Sequence, residues 1–331
     1  MKAIVYTKYG SPEVLQPQEV SKPTPKDNEI LIKVHATTVN YGDITARDFA
    51  NIPASQFNMP GLLWFLARMT FGWNKPKQTI LGSELAGEIV AVGKDVQRFK
   101  SGDQVFAYTG QNMGAYAEYL CMPETGMVAK KPSNLSFEEA AAIPYGTITA
   151  LSLLSAAKLQ AGQKILILGA SGGIGSAAVQ LAKHYFGAEV TGVCSTQGLE
   201  LVKSLGADHV IDYSQEDFTQ NKQQYDLILD ILGRGSFTKS KKVLTQHGIY
   251  LLASFKTKQL SQMLLTSRSK QKVICALSSE NQKDMELIKE LCEQGKIKAF
   301  IGKNYPLEQT AQAHKYVESG RKTGSIIINV A

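Results

Sequence analysis

The sequence predicts an α/β protein in which a β-rich stretch precedes a doubly wound parallel sheet. Three observations carry that expectation. Short alternating runs bounded by Gly, Pro, Asp and Asn fill residues 1–125; strands and helices alternate from about residue 126; and a glycine-rich turn joins one strand to a helix of small residues. The 331 residues suggest about two domains at roughly 100–200 residues each.

The elements follow in order. Met1 leads directly into the alternating run Lys2-Ala3-Ile4-Val5-Tyr6. Ile30–Val34 and Glu88–Val92 read as further strands of the first half. In the second half the strand candidates are Lys164–Leu168, Glu189–Val193, His209–Asp212, Asp226–Asp230, Gly248–Ala253 and Lys272–Ala276. Helices are expected over Gly173–Phe186 and Thr196–Leu205 between them, then over Asn281–Gln294 and Leu307–Ser319, with a closing strand Ser325–Val330. No internal repeat or low-complexity linker interrupts the pattern.

Composition excludes several classes. Hydrophobic residues make up 44% and charged residues 20%, so the chain can bury a core and is not disordered. No run of about 18 apolar residues exists, so no transmembrane helix is expected. Met1 leads directly into the first strand, so no signal peptide is expected. Cys121, Cys194, Cys275 and Cys292 are scattered without a CxxC pair, which points to a reduced cytoplasmic chain. The net charge of +7 permits anionic ligands. Its basic residues are interspersed with acids and no stacking aromatics lie on a basic strand, so nucleic acid is not expected.

The strongest local signal is Lys164-Ile-Leu-Ile-Leu-Gly169-Ala-Ser171-Gly172-Gly173-Ile174-Gly175, continuing into Ser-Ala-Ala-Val-Gln-Leu-Ala-Lys183. A buried strand enters a tight glycine turn and leaves as a helix. Glycine lets backbone approach a pyrophosphate, and the helix N-terminus supplies free N–H groups and the positive end of its dipole. The plain alternative is an ordinary strand-turn-helix, but the later strands sit where dinucleotide binding needs them. An acidic residue closing the next strand would bond a ribose 2′-OH and signal NAD. Val193-Cys194-Ser195-Thr196-Gln197-Gly198 holds hydroxyls there instead. NADPH is therefore favoured, with NADH possible and with Ser195 or Thr196 alternatively capping the next helix.

Beyond that turn, Gly82-Ser83-Glu84-Leu85-Ala86-Gly87 followed by Gly93 and Val96, Gly102-Asp103-Gln104-Val105, and Gly114-Ala115-Tyr116-Ala117-Glu118-Tyr119 match three signatures of one family. Over nearly its whole length the chain resembles the medium-chain dehydrogenase/reductases, in their zinc-independent quinone oxidoreductase (zeta-crystallin-like) branch. The resemblance implies a GroES-like β-domain from residues 1–125 and 280–331. It implies a Rossmann domain from residues 126–279, with the active site in the cleft between them. It also implies a homodimer, formed by edge pairing of the last Rossmann strand at Lys272–Ala276.

Departures from the zinc-dependent members matter equally. Where they place a ligating His and Cys, this chain has Ser83 and Asn40, and the third ligand place falls in Ala140–Ile143. The five histidines show no ligand spacing, and His35 reads as a strand residue. No zinc is expected, and with it no alcohol oxidation through a metal-bound alkoxide.

Hydride transfer without a metal needs a carbon made electrophilic by a conjugated carbonyl, as in quinones and α,β-unsaturated ketones or aldehydes, with donors meeting the developing oxyanion. The resemblance places Asn40 as an orienting amide, Tyr41 as donor or proton source and Asp43 as holder of the hydrogen-bond network. Asp43 could equally be the N-cap of a helix beginning at Ile44. Tyr145 would border the nicotinamide or be a half-buried junction aromatic. By the same matching, Thr149, Gly233, Leu252, Ala253, Ser254 and Tyr213 would contact the cofactor, as would Lys322 and Thr323 in a C-terminal turn. Gln197 and Gly198 stand where many NADPH users put Lys or Arg, which weakens the expected NADPH preference. Lys203 lies further along the following helix.

An aromatic insert, with Phe49, Phe57, Trp64, Phe65, Phe71 and Trp73, separates Asp43 from Gly82. It reads as an apolar lid, as a packed surface helix over Leu62–Thr70, or as a membrane-surface or dimer contact. The expected activity is NADPH-dependent, zinc-free reduction of a small hydrophobic carbonyl or quinone. The alternatives are an enoyl-thioester reductase and a non-catalytic or RNA-binding protein.

Overall fold

The computed structural model describes residues 1–279, 281–320 and 322–330. Glu280, Arg321 and Ala331 lie outside the described residues, and with them the expected domain limits at 280 and 331. The chain forms two compact units. One comprises Met1–Pro53, Phe65–Tyr145 and Glu280–Ala331, the other Ala54–Trp64 and Gly146–Ser279.

In the first unit, β1 (Lys2–Val5) pairs antiparallel with β2 (Gln16–Glu19). The main sheet is built from β3 (Glu29–Thr38), β4 (Glu84–Val92), β5 (Gln104–Tyr108), β6 (Tyr119–Pro123), β7 (Met127–Lys130), β14 (Ile301–Pro306) and β15 (Ser325–Asn329). The order is β14-β15-β3-β4-β5-β7, with β6 also on β3. Ile30, Ile32 and Val34 pack with Leu85, Ile89 and Val105 in one core. Ile4, Tyr6, Leu81, Tyr116 and Ile326 form another. Its helices are α1 (Tyr41–Arg47), α3 (Phe137–Ala141), α9 (Gln282–Glu293) and α10 (Thr310–Glu318). Two further helices are α2 (Gly61–Phe71) and α4 (Pro144–Ala156). Ser136 and Glu139 form a reciprocal capping box on α3, and the Asn281 side chain caps α9. His35 lies in β3 and stacks on Phe137, ring centroids 4.2 Å apart.

The second unit is a six-stranded parallel sheet: β8 (Lys164–Leu168), β9 (Glu189–Cys194), β10 (His209–Asp212), β11 (Tyr225–Asp230), β12 (Leu244–Leu252) and β13 (Lys272–Cys275). The order β10-β9-β8-β11-β12-β13 reverses direction of growth between β8 and β11. That is the topological switch point, where an open parallel sheet receives its ligand. Helices α5 (Gly173–His184), α6 (Leu199–Ser204), α7 (Phe237–Ser240) and α8 (Thr257–Thr266) complete the winding. All six expected strands form, and β12 starts four residues earlier than the apolar run Gly248–Ala253. Leu244 is buried opposite Tyr225, and the exposed Gln246 and His247 follow it where the register shifts. The single helix expected over Thr196–Leu205 is instead a 3-10 turn, Thr196–Gly198, followed by α6. The Gly198 N–H bonds the Ser195 carbonyl at 2.8 Å, tightening the first turn.

Candidate functional site

In the second unit the candidate residues collect at the carboxyl ends of the strands. Leu168 ends β8, and Gly169 turns the chain at φ +85°, a left-handed conformation glycine adopts without penalty. Gly172 is the N-cap of α5, in extended backbone, and no side chain caps the helix. A Cβ on Gly175 would stand 2.1 Å from the Gly169 carbonyl oxygen, whereas one on Gly173 would meet nothing within 4 Å. Gly172 and Gly173 are exposed, and Ser171 and Ile174 are half-buried. The helix start is therefore pressed against the strand end, with its first-turn N–H groups uncapped on an open surface. This cradle fits a pyrophosphate.

Neighbouring loops converge there. Gly146 on α4 approaches so closely that a Cβ would stand 2.6 Å from the Gly173 carbonyl, which brings in the helix carrying half-buried Thr149. Asp230, buried at the end of β11, accepts from the N–H groups of Gly233 and Gly235, both at 2.8 Å, and from Tyr250 at 2.9 Å. A Cβ on Gly233 would stand 2.4 Å from the Ser254 carbonyl, so the loops after β11 and β12 touch. Leu252 is buried at the end of β12, and Ala253 and Ser254 are half-buried beyond it.

At the end of β9 the sequence offers hydroxyls and no acid, but the tertiary structure supplies one from the next strand. Parallel pairing sets Asp212 of β10 opposite Cys194. The Thr196 hydroxyl donates to Asp212 Oδ2 at 2.5 Å. Ser214 adds its N–H and hydroxyl at 2.9 and 2.7 Å, and these bonds hold the Asp212 carboxyl below its usual range. Ser195 begins the 3-10 turn without a side-chain cap bond, and Tyr213 is exposed.

The other candidates lie in the first unit, around α1. Asn40 is the N-cap: its Oδ1 accepts from the N–H groups of Gly42 and Asp43 at 2.8 and 3.2 Å. Asp43 Oδ2 accepts from the Asn40 N–H at 3.0 Å. The helix therefore begins at Tyr41, and Asp43 is its third residue rather than the N-cap. Asn40 Nδ2 donates to the Ser83 hydroxyl at 2.7 Å. Swapping the amide would set NH2 against two N–H groups, so the orientation is fixed. Asn40, Asp43 and Ser83 are buried, while Tyr41, the first helical residue, is 61% exposed.

Glu84, buried at the start of β4, accepts from the Thr38 hydroxyl and, at 2.7 Å, from the Tyr145 N–H in the first turn of α4. Burial pushes the Asp43 and Glu84 carboxyls up to about 7 each, and Asp43 adds to the rise at Glu84. The same cause, with both carboxylates, raises the half-buried Tyr145 phenol well above its ordinary value. Burial lowers the Lys322 ammonium, opposed by Glu84. Exposed Thr323 follows it.

Behind this cluster, the buried Arg47 donates from Nη1 to His314 Nδ1 at 3.0 Å and bonds Glu318 and the Gly10 carbonyl. Arg47 has no acceptor, so His314 Nδ1 accepts and its Nε2–H points at the Tyr116 hydroxyl, 3.0 Å away. Tyr116 donates to the Thr38 carbonyl at 3.2 Å. Burial and Arg47 push His314 down to about 3, which keeps it neutral. Ser83, Glu84, Asp212, Asp230 and this chain carried no role in the sequence reading. The G-x-E motif was the signal for the first two. Among the described residues, no three His, Cys, Asp or Glu side chains come together as a metal site would need.

Comparison with known proteins agrees with this layout. Residues 26–133 match the alcohol dehydrogenase GroES-like domain and residues 205–328 a zinc-binding dehydrogenase domain. The chain is 35% identical to the 2-methylene-furan-3-one reductase of Solanum lycopersicum, covering 99% of this chain and 79% of that protein. It is 34% identical to the quinone oxidoreductase of Sus scrofa, covering 99% and 97%. The solved quinone oxidoreductase of Coxiella burnetii superposes with a TM-score of 0.84 at 27% identity, over 100% and 99% of the two chains. An open parallel sheet with a glycine cradle, a β-rich unit bearing the G-x-E strand, and full-length similarity at these identities lead to one conclusion: the chain belongs to the medium-chain dehydrogenase/reductase superfamily, in its zinc-independent quinone oxidoreductase branch.

Proposed function

We propose that the protein is a zinc-independent, NADPH-dependent reductase of quinones and α,β-unsaturated carbonyls. The observation that carries this reading is the Asn40–Ser83 hydrogen bond, 2.7 Å long and buried. It occupies the two places where the zinc-dependent relatives put ligands, and it braces the turn that presents exposed Tyr41. Neither an amide nor a serine hydroxyl belongs to the usual Cys, His and carboxylate ligand set of zinc.

When bound, the nicotinamide supplies a hydride. This chain's residues do the rest. The uncapped N–H groups at Gly173–Gly175 would hold the pyrophosphate. Ser195, Thr196 and Tyr213 border the 2′ position, and Gly233, Leu252, Ala253 and Ser254 shape the nicotinamide end. Thr149, Lys322 and Thr323 add contacts in the same reading. Asn40 locks the first turn of α1, and in this reading the Tyr41 hydroxyl donates to the substrate carbonyl oxygen as negative charge develops. Asp43 and Glu84 hold that turn and the Tyr145 segment in place. The four cysteines are free thiols, which supports a cytoplasmic setting. β13 is a sheet edge, which supports pairing with a second copy.

The test is oxidation of NADPH and NADH with a naphthoquinone, a linear enone, crotonyl thioester and a simple alcohol, alongside zinc analysis. Turnover of the first two without stoichiometric zinc is expected. Alcohol oxidation dependent on tightly bound zinc would overturn the reading.

A further inference from the structure

The insert between α1 and β4 is the one long segment whose role the reading above leaves open. Its stretch Ala54–Trp64 packs with residues 146–279, not with the unit of its chain neighbours. Two bonds tie it there. The Phe255 N–H donates to the Asn58 carbonyl at 3.0 Å, and the Lys256 ammonium donates to the Ser55 carbonyl at 2.6 Å. Phe255 and Lys256 follow the carboxyl end of β12 at Leu252. They continue the loop that Gly233 touches through Ser254. Lys256 is itself anchored, since its N–H donates to the Gln259 side chain at 3.0 Å at the start of α8.

An open parallel sheet takes its ligand outside the carboxyl ends of the strands at the switch point, here between β8 and β11. A segment fastened to the loop after β12 therefore stands on the rim of that crevice. It lies on the β12 side, away from the 2′ loop after β9. Phe57, Met59, Leu63 and Trp64 are half-buried, so the segment brings apolar side chains that still expose part of their surface.

We propose that residues 54–64 form a fixed apolar wall at the substrate end of the crevice, with Phe57 and Trp64 selecting conjugated carbonyls that carry a hydrophobic chain. The proposal rests on the function given above for the identity of the reacting group. Rim position and composition come from the bonds and burial of the segment itself. Burying one more methylene against such a wall raises kcat/KM by about three- to fourfold.

The experiment uses the full chain and linear 1-alken-3-ones from butenone to octenone, with the saturated 3-ketones as unreactive partners. The chain has two tryptophans, so W73F leaves Trp64 as the sole indole reporter. In the wild type, kcat/KM should rise about three- to fourfold per methylene. In F57A and W64A the rise should flatten to less than about twofold while NADPH affinity stays within about twofold. In W73F with NADPH bound, saturated ketones should shift Trp64 emission with affinity that increases with chain length. An unchanged chain-length dependence in both variants, or Trp64 emission indifferent to saturated ketones, would overturn the wall. Absence of enone turnover with a clear Trp64 response would instead overturn the catalytic reading and leave the wall standing.

Discussion

Asn40 Nδ2 lies 2.7 Å from Ser83 Oγ while Asn40 Oδ1 caps α1, so one buried amide joins the β4 motif to the helix carrying Tyr41. Its two ends can be separated by mutation. Asn40→Asp keeps a capping oxygen but loses the donor to Ser83. Asn40→Ala loses both, at a helix-cap cost of about 1 kcal/mol. We expect N40D to fold with little loss while kcat falls about tenfold or more, and N40A to lose both stability and rate. Denaturant midpoints beside steady-state kinetics check this. Equal losses of kcat and stability in the two variants would count against a positioning role.

The carboxyl of Asp43 is raised to about 7 by burial, well above its unfolded value of about 3.9. The folded state therefore binds a proton that the unfolded state releases between those values, and this group's contribution to stability falls as pH rises from about 4 through about 7. Asp43→Asn removes that dependence while keeping an oxygen for the Asn40 N–H. The Tm of D43N minus that of wild type should become more positive between pH 5 and pH 8, read by scanning calorimetry. A difference independent of pH would refute the shift.

Glu84 accepts from the Thr38 hydroxyl and the Tyr145 N–H in a buried setting. Glu84→Ala leaves both donors unsatisfied, and each costs about 1–3 kcal/mol. Unfolding of E84A should shift by about 2–6 kcal/mol in total. Thr38→Val, which removes one donor along with its need, should lose less. Urea titration distinguishes the two.

Two glycines of the cradle should separate folding from cofactor binding. A Cβ at Gly175 would meet the Gly169 carbonyl at 2.1 Å, but one at Gly173 would meet nothing within 4 Å. Gly175→Ala should destabilise by about 1–3 kcal/mol through overpacking. Gly173→Ala should leave Tm unchanged yet weaken NADPH by about tenfold, because its methyl sits where the pyrophosphate approaches. Fluorescence titration with the cofactor reads the second effect.

Asp212 places a carboxylate on the hydroxyl of Thr196, where a 2′-phosphate would bring like charge. Asp212→Asn should raise the NADPH-to-NADH ratio of kcat/KM by about three- to tenfold, in line with removal of one partly screened charge. A ratio unchanged by the substitution would show that the phosphate lies elsewhere.

Much of the second unit was legible because parallel strands buried on both faces read as short continuous apolar runs, and Lys164–Leu168 forms with those bounds. Boundaries that depended on pairing were not legible. Leu244 joins β12 only because β11 offers it Tyr225 across the sheet. At α1, the sequence left open whether Asp43 was cap or network residue. Asn40 takes the cap, its Oδ1 accepting from the Gly42 and Asp43 N–H groups, while its Nδ2 reaches Ser83, a residue 43 positions away.

By itself the sequence determined the β-rich half, the alternating half and the glycine turn, because periodicity and turn chemistry act between neighbours along the chain. It named Asn40, Tyr41 and Asp43 only through the resemblance of the surrounding motifs to a known family. Only the tertiary structure decided which groups meet across the chain. It set Asp212 against Thr196 by strand register, Glu84 on the Tyr145 N–H, and Arg47 on His314. Such contacts depend on sheet order and on the burial of polar groups that must find partners, and neither leaves a periodic trace in the sequence.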